Sequence, residues 1–182
     1  MRYFFRLAPP PFSRVLLIES GSRHLIEDLL SGLYDVHPGM QADLLTCYAG
    51  VPKYFREERG EIHRVNDYPN GAARKKLYRL LGAKRYTVVG MICSAEPIMT
   101  KWKWVLSARL PGKVFVLNEN GDYFWLDRGH LSNIRHFILF RAGLTGAGAV
   151  RTLARLALFP FTLLYLILYA ASVHLRRKIR TL

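Results

Sequence analysis

The sequence predicts an α/β domain on a mostly parallel five-stranded sheet, followed by one C-terminal transmembrane helix. Three observations carry that prediction. Short apolar runs alternate with helically spaced apolar residues between Arg14 and Leu126. The runs are nearly continuous rather than alternating, the mark of strands covered on both faces. Leu156 to Leu175 (LALFPFTLLYLILYAASVHL) then spans 20 residues without Asp, Glu, Lys or Arg.

The first strand is Arg14–Glu19 (RVLLIE), closed by Ser20, Gly21 and Ser22. Leu25, Ile26, Leu29, Leu30 and Leu33 recur at helical spacing, so His24–Leu33 is a helix with Ser22 as its N-cap. Ala42–Cys47 is the second strand. Val51–Glu58 is expected as a short helix opening at Pro52, and Glu61–Val65 as a third, shorter strand. Gly71–Leu81 reads as a basic helix that turns Leu77, Leu80 and Leu81 inward. Tyr86–Cys93 is the fourth strand. Glu96–Leu110 is expected as a helix with Pro97 in its first turn, stopped by Pro111-Gly112. In it, Lys101, Trp102, Lys103 and Trp104 alternate cations with aromatics, and one Trp is expected in the core. Lys113–Leu117 is the fifth strand. Asn120-Gly121 marks a turn, so Tyr123–Leu126 is expected to fold back as a hairpin arm. Ser132 is expected to cap a helix reaching Phe140, with His130, Arg135 and His136 as surface residues.

Strands separated by helices make βαβ units, and right-handed crossovers place helices on both faces. The expected result is a single Rossmann-like domain with strand order 3-2-1-4-5. The division follows: an N-terminal tail over 1–12, the domain over 13–142, a basic joint over 143–155 loosened by Gly143, Gly146 and Gly148, the transmembrane helix over 156–175, and a basic tail over 176–182.

Composition narrows the class. A chain of 182 residues, 51% hydrophobic and 22% charged, is neither disordered nor collagen-like nor a disulfide scaffold. Its mean hydropathy of +0.06 is high for a purely soluble domain. Residues 1–127 hold 18 Lys+Arg and 13 acids; residues 128–182 hold 9 Lys+Arg and no acid. A basic segment beside a long apolar run suits an anionic membrane surface. No nucleic-acid partner is expected, because neither zinc-finger spacing nor a helix-turn-helix is present. Cys47 and Cys93 form no CxxC pair and have no His at ligand spacing, so no metal and no cofactor are expected.

A 20-residue helix rises about 30 Å, the thickness of the hydrocarbon core. Arg151 and Arg155 precede the apolar run; Arg176, Arg177, Lys178 and Arg180 follow it. Tyr165 and Tyr169 add amphipathic bulk, and Pro160 lies near the start, where it is tolerated. A helix lying in the membrane interface, or a hairpin re-emerging on the same side, stays open. The opening MRYFFRLAPPPFSRV has no apolar core and is broken by Pro9, Pro10 and Pro11, so no signal peptide is expected. The expected location is a single pass of the inner (cytoplasmic) membrane, with the soluble domain facing the cytoplasm.

In doubly wound sheets, ligands bind beyond the carboxyl ends of the strands. That rule selects Glu19, Ser20, Gly21, Ser22 and Arg23 after the first strand, Tyr48, Ala49 and Gly50 after the second, and Ser94 and Glu96 after the fourth. Asn118, Glu119, Asn120 and Asp122 follow the fifth. The loop ESGSRH has one glycine where a dinucleotide site shows GxGxxG, and no Walker A pattern occurs. It reads as an anion seat at a helix N-terminus strengthened by Arg23, or as a plain capped turn. Cys93 before a helix start reads as a candidate nucleophile or as a buried strand residue. Glu96, Glu119 and Glu19 are the candidate general bases. For Glu96, complementing a helix dipole is the other reading. Asn118, Asn120 and Asp122, with Ser20 to Arg23 and Ser94, are the candidate ligand-binding groups. The Asn118–Asp122 stretch lacks EF-hand spacing and otherwise reads as a polar hairpin turn.

The Gly-bearing first loop, ADLLTCYAGVP, the short third strand, YTVVGMIC and KVFVLN together resemble the N-terminal, acceptor-side half of GT-B glycosyltransferases, nearest to the heptosyltransferase type. The resemblance covers roughly residues 13–127. It implies a subunit acting on a lipid-linked or glycan acceptor in cell-envelope polysaccharide or glycolipid assembly. Enzymes of that family carry a second, C-terminal half that grips the nucleotide sugar. Here the apolar helix occupies its place, which implies a split enzyme with a separate nucleotide-sugar-binding half. A noncatalytic membrane adaptor or binding module on the same fold is the alternative.

Overall fold

The computed structural model describes residues 3–94, 96–146 and 148–180. They form two compact units, Met1–Ile134 and Arg135–Leu182. The first holds β1 (Arg14–Glu19), α1 (Arg23–Val36), β2 (Gln41–Thr46), β3 (Ile62–Arg64), α2 (Gly71–Ala83), β4 (Val88–Cys93), α3 (Thr100–Arg109), β5 (Lys113–Asn118) and β6 (Tyr123–Trp125). The helix α4 (Leu131–Arg141) bridges to the second unit, which contains α5 (Gly148–Arg180).

The sheet has six strands in the order β3-β2-β1-β4-β5-β6. The first five are parallel, in the expected order. The hairpin arm adds β6 antiparallel to β5, pairing Phe115 with Trp125 and Leu117 with Tyr123. Val15 to Ile18 are fully buried because the sheet is covered on both sides. On one face, Leu25, Ile26, Leu30 and Tyr34 of α1 join Val15, Leu17, Phe115 and Leu117 in one apolar cluster. On the other, Leu77 and Leu81 of α2 and Leu106 of α3 are buried, and Ser107 Oγ lies 3.5 Å from Met91 Sδ. Gly90 sits mid-strand because a Cβ there would stand 2.4 Å from Phe115 Cζ, so the ring needs the space.

Five local expectations are corrected. Leu80 of α2 does not turn inward with Leu77 and Leu81; it is exposed. Val51–Glu58 is not a helix; only a 3-10 turn forms, at Glu57–Arg59. This stretch buries just Pro52 and Phe55, too few apolar positions to hold a helix on the domain, while it returns from the carboxyl end of β2 to the amino end of β3. α3 starts at Thr100, not Glu96. Pro97 disfavours helical backbone at Glu96, and Met99 adopts φ 52, which breaks the helix path before Thr100. Neither Trp of α3 is in the core: Trp102 is half-buried against Tyr78, Trp104 is exposed, and Lys103 points inward instead, its Nζ donating to the Ile92 carbonyl at 3.1 Å. Ser132 does not open α4. The helix begins at Leu131, after a 3-10 turn whose Gly129 and His130 amides donate to Asp127 Oδ1.

In α5, the 30 residues Ala149–Lys178 are long and apolar enough to cross a membrane, and none of that stretch's apolar window is buried within the protein. An apolar run with no protein partner is a candidate membrane span.

Candidate functional site

The chain turns one way from β1 to β2 and the other way from β3 to β4, so the sheet has its topological switch between β1 and β4. In sheets of this kind the crevice at such a switch, beyond the strand ends, is where ligands bind. Its floor is Glu19, the last residue of β1, fully buried. Glu19 Oε1 accepts from Arg23 Nε at 2.9 Å, an ion pair across the loop from β1 to α1. Glu19 Oε2 is buried and has no hydrogen-bond partner; the same holds for an Arg23 terminal nitrogen and for Ser94 Oγ. Glu19 and Arg23 are bonded to each other and Ser94 packs on Gly21 between them in sequence, so these groups share one neighbourhood, and buried polar groups normally find partners.

The walls explain the local sequence. Ser20 Oγ donates to the Ile92 carbonyl at 2.7 Å and stitches β1 to β4. Gly21 packs so tightly that a Cβ would stand 2.7 Å from Ser94 Oγ and 2.8 Å from Ile92 Cγ2. Arg23 also donates to the Ala49 carbonyl at 2.9 Å and lies over the Tyr48 ring. Tyr48 donates its hydroxyl to the Gly21 carbonyl at 3.1 Å. Burial raises the Tyr48 phenol above its ordinary value, and the nearby charges of Cys47, Glu96 and Glu19 push the same way against Arg23. Glu96 is thus electrostatically part of the crevice while its side chain stays exposed.

Ser22 occupies the N-cap position of α1, yet its hydroxyl makes no capping bond. Cys47 is half-buried and its thiol is pushed up by desolvation, the reverse of an activated nucleophile. Cys93 is buried.

The Asn118–Asp122 group forms a separate, self-satisfied turn. Asn118 Oδ1 accepts from the amides of Asn120 and Asp122, both at 2.9 Å, and its Nδ2 donates to Asp122 Oδ2 at 3.3 Å. Glu119, Asn120 and Asp122 are exposed. β5 lies two positions from β1, so this turn stands about 10 Å to the side of the crevice floor. The structure brings together Glu19, Ser20, Gly21, Arg23 and Ser94, with Glu96 at the rim, and leaves the turn apart. The sequence marks Tyr48 by its position after the second strand alone; its bond to Gly21 is visible only in the structure. Among the described residues, no group of three or more His, Cys, Asp and Glu is placed to hold a metal ion.

Fold and crevice define a Rossmann-like α/β domain joined to a candidate membrane-spanning helix. Comparison with protein families, curated proteins and solved structures finds no match for the chain.

Proposed function

We propose that the chain is the membrane-anchored, acceptor-side half of a split glycosyltransferase acting in cell-envelope polysaccharide or glycolipid assembly. The observation that carries this is the polar group at the β1/β4 switch, where one terminal nitrogen of Arg23 and Ser94 Oγ have no hydrogen-bond partner. A ligand that supplies both donors and acceptors completes them, and a glycan hydroxyl does both. An anionic ligand fits less well, because Arg23 already neutralises Glu19 and Glu96 adds negative charge at the rim. Glu19 is sealed and paired, so it positions Arg23 rather than meeting an acceptor. Glu96, exposed at the rim, is the best placed of the three acids to take a proton from an acceptor hydroxyl. The donor sugar would arrive on a separate nucleotide-sugar-binding half.

Affinity purification of the full chain from detergent-solubilised membranes tests the split-enzyme reading. A stoichiometric nucleotide-binding partner supports it. In the reconstituted pair, Glu96→Gln should lower transfer by roughly 10²-fold or more, the usual scale for a general base, while Glu119→Gln leaves it near wild type. Full activity in Glu96→Gln removes this mechanism.

A second reading, a noncatalytic adaptor, is favoured by a different feature. An apolar cleft of about 340 Å³ opens between α1 and the β5–β6 hairpin, lined by Phe12, Leu29, Leu33, Phe115, Tyr123 and Trp125. If recruitment is the function, Leu33→Glu abolishes partner capture and Glu96→Gln does not.

A further inference from the structure

The N-terminal segment is held to the domain in an unusual way. Lys113, at the start of β5, has a fully buried side chain. Its Nζ donates to the carbonyls of Arg6 and Leu7 at 2.9 Å each and of Ala8 at 3.4 Å, and pairs with Asp127 at 2.8 Å. The Arg128 amide donates to the Phe4 carbonyl at 3.0 Å. The segment backbone is therefore pinned from both sides, and a buried ammonium is a costly pin unless every donor is used.

Tyr3 and Phe4 of this pinned segment are half-buried, while Phe5, Arg6 and Leu7 face outward. Phe5 is 71% exposed and Leu7 54%, and Leu131, just past the Asp127 turn, is 54% exposed. Arg6 and Arg128 stand exposed among them. Asp127 is the one acid within residues 3–13 and 126–134, and it is buried, neutralised by Lys113 and bonded to His130 Nδ1 at 2.7 Å. The surface is thus apolar and aromatic, purely cationic at its rim, and rigidly presented. That is the chemistry of an interfacial membrane contact.

Its place in the fold agrees. The Leu126 amide pairs with the Val114 carbonyl, so residues 127–131 lie at the amino ends of the strands. The chain leaves the first unit from this edge, and the apolar run begins at Leu156, some 20 residues later. We infer that the Lys113-pinned segment Tyr3–Leu7, with Arg128 and Leu131, is a second membrane-contact surface that seats the α/β unit on an anionic lipid leaflet. This rests on the membrane-anchored reading above and deepens it. The crevice lies at the opposite edge of the sheet, about 20 Å away along a six-residue strand. An acceptor reaching Glu96 from the same leaflet must then be an extended glycan rather than a bare lipid headgroup.

The test uses the full chain in phosphatidylcholine nanodiscs with and without phosphatidylglycerol. A benzophenone amino acid replaces Phe5, Asp122 or Leu164 in turn, and lipid adducts are read by mass spectrometry. The expected result is lipid adducts at 5 and 164 but not at 122. The adduct at 5 should fall roughly thirtyfold without phosphatidylglycerol, or in Arg6→Glu/Arg128→Glu, the scale set by two cations near an anionic leaflet. Adducts at 164 with position 5 no higher than 122 overturn the surface and leave the anchor standing. Adducts at 5 without any at 164 keep the surface and remove the anchor. Adducts at neither position overturn both.

Discussion

At the residue scale, the domain's polar core rests on contacts between distant positions. Asp43, on β2, accepts from Tyr86 at 2.6 Å, from Lys84 at 2.8 Å and from the Glu61 amide at 2.8 Å. Burial alone would raise its carboxyl, but the Lys84 and Tyr86 bonds outweigh that and hold it below the ordinary value. Beside it, burial and then Lys84 depress the imidazole of His63. Both groups favour the deprotonated fold, so stability is present above their unfolded values and lost as pH falls. Decline should begin below about pH 6.5 as His63 binds a proton on unfolding, then steepen below about pH 4 as Asp43 does. Denaturant midpoints across pH check this; a flat profile from pH 7 to pH 5 contradicts the His63 part. Tyr86→Phe removes a hydrogen bond to a buried carboxylate and should cost about 1.5–3 kcal/mol in the same assay. None of this was legible in the sequence, where Asp43 and Tyr86 stand 43 positions apart. Gly21 was legible as a loop glycine, but the reason for it was not. Gly21→Ala should destabilise by about 1–3 kcal/mol through overpacking against Ser94 and Ile92. Adding Ser94→Ala should restore part of that loss, because one of the two clashes goes with the hydroxyl.

At the element scale, what could be read depended on burial. β1, β2, β4 and β5 are continuous apolar runs, and their positions were plain because both faces are covered. The connections were harder. Local signals such as Pro52 and Pro97 suggested helix starts, yet the chain obeyed the distance it had to span and the strain at one residue. Met99 holds φ 52, a backbone region that side chains with a Cβ adopt at a cost. Met99→Gly removes that cost but also loosens the unfolded chain, so the expected net gain is small, about 0.5–1 kcal/mol, read as a rise in melting temperature. Loss of stability instead would mean that the Met99 side chain contributes packing that outweighs the strain. The same position bounds the crevice loop that carries Glu96, so a change in transfer activity with unchanged stability would tie the strained turn to the site.

At the scale of the whole molecule, topology was the most legible feature and the site's chemistry the least. Alternation of strand and helix is enough to order five parallel strands, since crossovers have one hand and connections are short. Which polar groups end up partnerless depends on packing to a fraction of an ångström, and no pattern encodes that. The membrane helix belongs with the legible part, and its energetics can be tested directly. The Leu156–Leu175 run holds eleven Leu, Ile, Phe and Val residues. At about 0.3–0.6 kcal/mol each when central, they favour insertion by roughly 3–7 kcal/mol. Two acids at the helix centre oppose that with about 5–7 kcal/mol, enough to cancel it. Leu164→Asp with Ile167→Asp should therefore move the full chain out of the carbonate-resistant membrane fraction, while wild type stays in it. If the doubly charged chain remains carbonate-resistant, α5 is not what holds the protein in the bilayer. If wild type itself is released by carbonate, the helix lies on the surface rather than across it, and the pinned Tyr3–Leu7 segment becomes the principal membrane contact.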